Sequence, residues 1–207
     1  MRILVCILCG SERHQWINPR LSTWLVQMGR DRRYNVDFQW IADSQRVEYA
    51  RNLAVDAARK GNYDGLITLD NDICPQFNPL DLVGMAGDVV TTGTGFHLDQ
   101  GTRVAHENVC CCLIRSCVWQ KIPAPWFVWT NGNDELLSPA GGVGEDIFFL
   151  RLCESNGFKI HTAPALASHF HTCDITAVAA RGVAPQQQQQ QVQRPYNVAD
   201  LIMRGAR

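Results

Sequence analysis

No apolar run in this chain approaches the roughly 20 residues that a helix needs to cross a bilayer. An excess of one charge is missing too: 19 Lys and Arg stand against 20 Asp and Glu, for a formal net charge of −1. Such a balance gives no whole-chain attraction to nucleic acid or to a membrane surface, while leaving room for a local basic groove. The opening MRILVCILCG has the apolar core of a leader peptide but not its ending, because SERHQW follows where small cleavage-site residues belong. It reads instead as a first buried strand. Cys6 and Cys9 have C-x-x-C spacing, yet no second pair completes a zinc site. Cys110, Cys111 and Cys112 are consecutive in VCCCLI. Strand neighbours point to opposite faces, so these three cannot form a compact disulfide set or a metal knuckle. The nine cysteines are read as small buried thiols of a reducing cytoplasm. No internal repeat is present.

What is there follows a regular order. RILVCILC is a continuous apolar run, as a strand covered on both faces would be. NPRLSTWLVQMGR carries Leu21, Trp24, Leu25 and Met28 at helical spacing, with Gly29 as a stop. YNVDFQWIA is a second strand, after which Asp43 or Ser44 can cap a helix over about 45–60. That helix sets Val47, Ala50, Ala54, Ala57 and Ala58 on one apolar arc, with Arg51 at its edge. A cation there needs an anionic partner or must reach outward. YDGLITLD is the third strand and completes a β-α-β-α-β order, which predicts a parallel sheet with right-handed crossovers. GDVVTTGTGF, NVCCCLIRS (antiparallel) and FKIHT supply further strands, and GEDIFFLRLCESNG a helix stopped by Gly157. The tail changes character: PQQQQQQVQRP is low-complexity and cannot build a core, and YNVADLIMRGAR is at most a short helix.

The third strand ends in Asp70-Asn71-Asp72 and reaches Pro75, where a sharp turn is expected. In an open parallel sheet, ligands bind beyond the carboxyl ends of the strands. Two acids so close repel unless they share a cation, and an oxygen-rich pair of this kind suits Mg2+ or Mn2+. A solvated turn closed by side-chain bonds would account equally for a lone D-x-D. Similarly, Glu145 and Asp146 open a helix, where the helix dipole favours ionised acids with or without a catalytic role. Trp126, Phe127 and Trp129 offer either ring stacking on a ligand or core packing.

Taken together, VEYARNLAVDAARKGNYDGLITLDNDICP, NVCCCLIRSCVWQKIPAPWF and GVGEDIFFLRLCESNGFKIHTAPALASH resemble, in order, the elements of a GT-A glycosyltransferase. The resemblance is to the compact family-2-like enzymes common in phages and environmental sequences, and spans about residues 3–172. It implies a three-layer α/β/α sandwich with a mostly parallel sheet over residues 1–183, followed by a Gln-rich tail over 184–207. It also implies a nucleoside diphosphate sugar donor, UDP-linked, and a divalent cation, Mn2+ or Mg2+. Asp72 would hold the cation directly, with Asp70 acting through the ribose or a metal-bound water. His169 or His171, after the last strand, would be the closing ligand. Arg51 would face the nucleotide, and Gly10, Ser11 and Asp43 the base. Asp146 would be the catalytic base. The first strand ends ILCGS and lacks the proline-threonine pair common in the family.

The expected reaction is metal-dependent sugar transfer to a hydroxyl, in the cytoplasm (the host cytoplasm if phage-encoded) and without a membrane partner. A hydroxymethylated pyrimidine in DNA is one acceptor, a glycan or protein another. Arg30, Arg32, Arg33, Arg181, Arg194, Arg204 and Arg207 are the cations a DNA acceptor would use. Two other readings stand beside this one: a nucleotide-sugar-binding protein without catalysis, and a metal-dependent phosphohydrolase or nucleotidyltransferase. Oligomeric state is not readable from the sequence.

Overall fold

The computed structural model describes residues 1–9, 19–42, 46–98, 101–129 and 144–169. Its centre is the strand β1 (Arg2–Leu8), buried throughout except for Arg2. β1 lies parallel to both β2 (Asn35–Ile41) and β3 (Gly65–Asp70), with Ile3 opposite Val36 on one side and Gly65 on the other. The connections are α1 (Pro19–Arg30) and α2 (Val47–Lys60), as the β-α-β-α-β order requires.

Alternation along β1 sorts its side chains into two cores. Leu4, Cys6 and Leu8 pack with Ala50, Ala54 and Ala58 of α2, while Ile3, Val5 and Ile7 pack with Leu21 and Met28 of α1. The result is the expected three-layer sandwich. The alanines of α2 recur every four residues, so this helix presents a low ridge to the sheet. Val47, expected on that arc, is exposed at the first turn, and Val55 is buried in its stead. The cap also differs from expectation. Arg46 precedes the helix without any side-chain capping bond, and Asp43 and Ser44 lie outside the described residues.

Beyond β3 the sheet continues in the order β2-β1-β3-β6-β5-β7-β4. Here β4 is Ile73–Pro75, β5 Val89–Leu98, β6 Gly101–Arg115 and β7 Ile160–His169. β6 runs antiparallel to β3 and β5, and β4 antiparallel to β7, while β7 is parallel to β5. Five of the seven strands among the described residues therefore point one way. α3 (Ser116–Lys121) follows β6, and α4 (Glu145–Ser155) packs Phe149, Leu150 and Cys153 into the core on the α2 side. Gly157 closes α4 at φ +81°, a conformation that other residues rarely adopt. Gly29 does not stop α1, which runs on to Arg30.

Two elements differ from the sequence expectation. Instead of turning at Pro75, the chain after the acids forms β4, with Ile73 opposite His169 and Pro75 opposite Ala167. Proline is tolerated because β4 is the last strand of the sheet, where a missing N–H breaks no inner ladder. Its carbonyl is used: Trp24 of α1 donates its indole N–H to Pro75 O at 2.8 Å. The final strand is also longer than FKIHT. It pairs with β5 as far as Ala163, shifts register across Pro164, and resumes at Leu166.

The cysteines bear on the redox reading. Cys6 and Cys9 sit in opposite cores, so their C-x-x-C spacing makes no dithiol pair. Cys111 and Cys112 face opposite sides as expected, but Cys110 shares the side of Cys111, because the β5–β6 register shifts between Val90 and Thr92. All seven cysteines among the described residues with resolved surroundings are free thiols. Burial pushes Cys6 and Cys153 up to about 12 and raises Cys112 as well. Alkylation at pH 8 followed by mass spectrometry should therefore spare these three in the native protein and label them after unfolding, since the thiolate is the reactive form. The expected boundary at residue 184 and the Gln-rich tail lie outside the described residues.

Candidate active site

At the carboxyl edge of the parallel strands, β3 delivers Asp70, Asn71 and Asp72. Asn71 is buried, and its backbone N–H donates to the carbonyl of Leu8, tying the turn to the end of β1. Asp70 and Asp72 are half-buried on either side of it. The turn is fixed from both directions, by β3 before it and by β4, held by β7 and Trp24, after it.

The awkward cation of α2 finds its partners within the chain. Arg51 is 3% exposed, and its guanidinium bridges two carboxylates. Nη2 donates to Asp70 at 3.1 and 3.4 Å, and Nη1 donates to Glu145, itself buried at the start of α4. Arg51 thus joins the end of β3 to the first residue of α4. Burial alone would lower the Arg51 guanidinium, but Asp70, Glu145 and Asp146 together hold it above its ordinary range, so it stays charged. Glu145 moves up: desolvation outweighs the opposing pull of Arg51, and the neighbouring Asp146 adds to the rise. The two terminal nitrogens of Arg51, the residue expected to face the nucleotide, hold Asp70 and Glu145 together.

The next residue, Asn52, does a similar service that the sequence reading missed. Its amide oxygen accepts from the backbone N–H groups of Trp126 (2.8 Å) and Phe127 (3.2 Å). Its amide nitrogen donates to the carbonyls of Phe127 (2.7 Å) and Glu48 (2.8 Å). One side chain therefore clamps the P-W-F segment onto α2. The signal was present: asparagine is a poor helix former in mid-helix unless its amide has work elsewhere. Asn52→Ala should cost at least about 2 kcal/mol in urea unfolding, since it strands N–H groups that lose about 1–3 kcal/mol each when buried without a partner. Asn52→Asp should not restore the loss, because a carboxylate cannot donate to the Phe127 carbonyl.

The aromatic cluster divides. Trp126 and Phe127 are core residues, with Phe127 stacked on Phe149 at 4.3 Å between ring centroids, and only Trp129 is exposed. Asp146, the second residue of α4, is half-buried, and its Oδ1 accepts the N–H of Ile147 at 2.8 Å. Its charge reaches Arg51, so Asp70, Glu145 and Asp146 converge on one cation.

The metal expectation concerns Asp70, Asp72, His169 and His171. Asp70 has both oxygens directed at Arg51, which favours an indirect role. Asp72 supplies a carboxylate, and the β4–β7 register sets the backbone of His169 opposite Ile73, the residue after Asp72. A carboxylate oxygen and an imidazole nitrogen are donor types that suit Mn2+, and the oxygen also suits Mg2+. Among the described residues no group of three or more His, Cys, Asp or Glu side chains forms a ready metal cage. A cation here would complete its shell with phosphate oxygens and water, as Mg2+ commonly does. Gly10, Ser11, Asp43 and His171 lie outside the described residues. Of the arginines considered for DNA, Arg33 is already committed to Asp31 at 2.7 Å and Asp81 at 2.8 Å, while Arg181, Arg194, Arg204 and Arg207 lie outside the described residues.

No protein-family model and no curated protein matches the chain. Among solved structures, it is similar to A197 from STIV, at 20% identity over 83% of this chain and 86% of that one, with a TM-score of 0.56. Weaker likenesses, both at a TM-score of 0.45, are to S. aureus TarS in complex with UDP-GlcNAc and to the inositol-1-phosphate CTP transferase from T. maritima. The first is 12% identical over 86% of this chain and 61% of that chain, the second 8% identical over 89% and 98%. At such identities likeness concerns the fold alone: the chain shares the α/β/α fold of A197 from STIV.

Proposed function

We propose that the chain is a metal-dependent glycosyltransferase that moves a sugar from a nucleoside diphosphate donor, UDP-linked, to an acceptor hydroxyl. The observation that carries this reading is the Arg51 bridge. It fastens Asp70, at the end of the third parallel strand, to Glu145, the residue before Asp146. An acid able to take a proton is thereby held beside the strand edge at which ligands of such sheets bind.

In this reading Asp70 orients the donor ribose, and Asp72, with His169 or His171, would hold the cation. A bound Mn2+ or Mg2+ supplies compensation for the charge that develops on the leaving diphosphate. Asp146 accepts the proton of the acceptor hydroxyl as the new bond from that oxygen to the anomeric carbon forms. The bond from the anomeric carbon to the diphosphate breaks, and its electron pair leaves with the nucleotide. A carboxylate acting as base in a single displacement predicts inversion at the anomeric carbon. The acceptor class is a hydroxyl on a DNA base, a glycan or a protein; binding to duplex DNA that weakens steeply with salt would single out the first.

The test is a panel of nucleotide sugars incubated with Mn2+ and scored by mass spectrometry. Metal-dependent release of UDP from one donor, abolished in Asp72→Ala, is the expected result. Release of pyrophosphate from a nucleoside triphosphate would assign nucleotidyl transfer instead. Failure of UDP with Mn2+ to raise the melting temperature, together with no turnover, would remove the proposal.

A further inference from the structure

The sheet ends on one side at β2, and among the described residues nothing pairs with its outer edge. The direction of its backbone groups follows from the inner ladder. Asn35 donates its N–H to Met1, and Ile41 accepts from Cys9. In a strand, alternate residues aim both backbone groups to the same side. Asn35, Asp37, Gln39 and Ile41 therefore face β1, and Val36, Phe38 and Trp40 turn their N–H and C=O groups outward. Apart from Ile41, which is buried in the core, these three residues carry the apolar side chains of the strand. Phe38 is 39% exposed and Trp40 47%. They stand on the α1 side, where a Cβ on Gly29 would lie 3.6 Å from the Phe38 ring, and Val26, one turn away on α1, is exposed as well. Sheet edges usually carry lysine, proline or a bulge that blocks pairing. β2 has none of these in NVDFQWI.

We propose that β2 is the pairing edge of a homodimer, in which two copies of the chain join β2 to β2 antiparallel about a two-fold axis at Phe38. The sequence of the strand is self-complementary in that register. Phe38 lies opposite the partner's Phe38, and Val36 opposite the partner's Trp40, so every outward N–H and C=O of the three residues finds a partner while the apolar side chains form one ladder. On the other face Asp37 lies opposite the partner's Gln39 and not opposite its own copy. The only charge on the strand, already paired with Arg2 and Tyr63, thus meets an amide instead of a like charge. A two-fold axis repeats each contact, as an isologous interface requires.

Light scattering of the full chain across a concentration series tests this. The expected mass is twice the 23.2 kDa of one chain, falling to 23.2 kDa when Phe38→Lys and Trp40→Lys are combined, with the melting temperature kept. A single-chain mass at every concentration, or a dimer that survives both substitutions, overturns the proposal. If the double variant does not fold, cross-linking decides. Under mild oxidation Phe38→Cys should yield a disulfide-linked dimer absent from the parent chain, and Gln39→Cys should not. Cross-linking by both, or by neither, overturns it.

Discussion

Replacing Arg51 by alanine should destabilise the protein by about 3–5 kcal/mol, the largest effect expected of any single change outside the apolar core. The cation is buried between Asp70 and Glu145, and Glu145 is itself buried. Removing the arginine leaves an acid without its countercharge in a place water does not reach. The cost should depend on pH, and its sign follows from Glu145. Desolvation holds this carboxyl above its ordinary 4.5 in the folded protein, and Arg51 opposes that rise. A carboxyl raised on folding stabilises fully below its unfolded value, and the contribution is lost as pH rises through the folded value. Without Arg51 the rise is larger, so urea unfolding should show a greater penalty at pH 7 than near pH 4.5. Combining Arg51→Met with Glu145→Leu should recover most of the stability, because both desolvation costs disappear together. Arg51→Lys should recover little, since a single ammonium lacks the fork that reaches two carboxylates. A loss below about 1 kcal/mol for Arg51→Ala would show that the bridge does not hold the site.

If the chain transfers sugar as proposed, Asp146→Asn should lower turnover by about 10²–10⁴-fold, the range that general-base catalysis contributes. Binding of UDP with Mn2+, read as a thermal shift, should stay unchanged, because the amide keeps the shape and loses only the ability to take a proton. A subtler variant tests position instead of chemistry. A Cβ on Gly144 would lie 2.8 Å from Asp146 Oδ1, closer than real contacts allow, and the carboxylate must swing aside. Gly144→Ala should therefore reduce kcat while leaving the donor KM nearly unchanged. Full turnover in Asp146→Asn would remove Asp146 from the mechanism. It would then leave α4 with acids that serve only its dipole and the Arg51 bridge.

The sequence by itself determined the layers of this protein. Apolar runs of strand length alternating with helix-period segments admit little besides a parallel sheet covered on both faces, because each pattern fits only one kind of local structure. It also located the acids at a strand end and showed that Arg51 sat where a cation needs a partner, since burial cost can be read from helical spacing alone. Only the tertiary structure decided who that partner is. Glu145 lies 94 positions from Arg51, and nothing local distinguishes an acid that caps a helix from one that reaches into a buried bridge. The partners of Asn52, Trp126 and Phe127 at 74 and 75 positions away, could not be read for the same reason, although an asparagine in mid-helix signalled that it had some. The pairing of Ile73 with His169 depends on β7 reaching the far edge of the sheet, where a proline that reads as a turn is accommodated as an edge strand. Patterns of burial are written along the chain, residue by residue. Partners across it are settled only when folding brings distant segments within the few ångströms over which hydrogen bonds and ion pairs act.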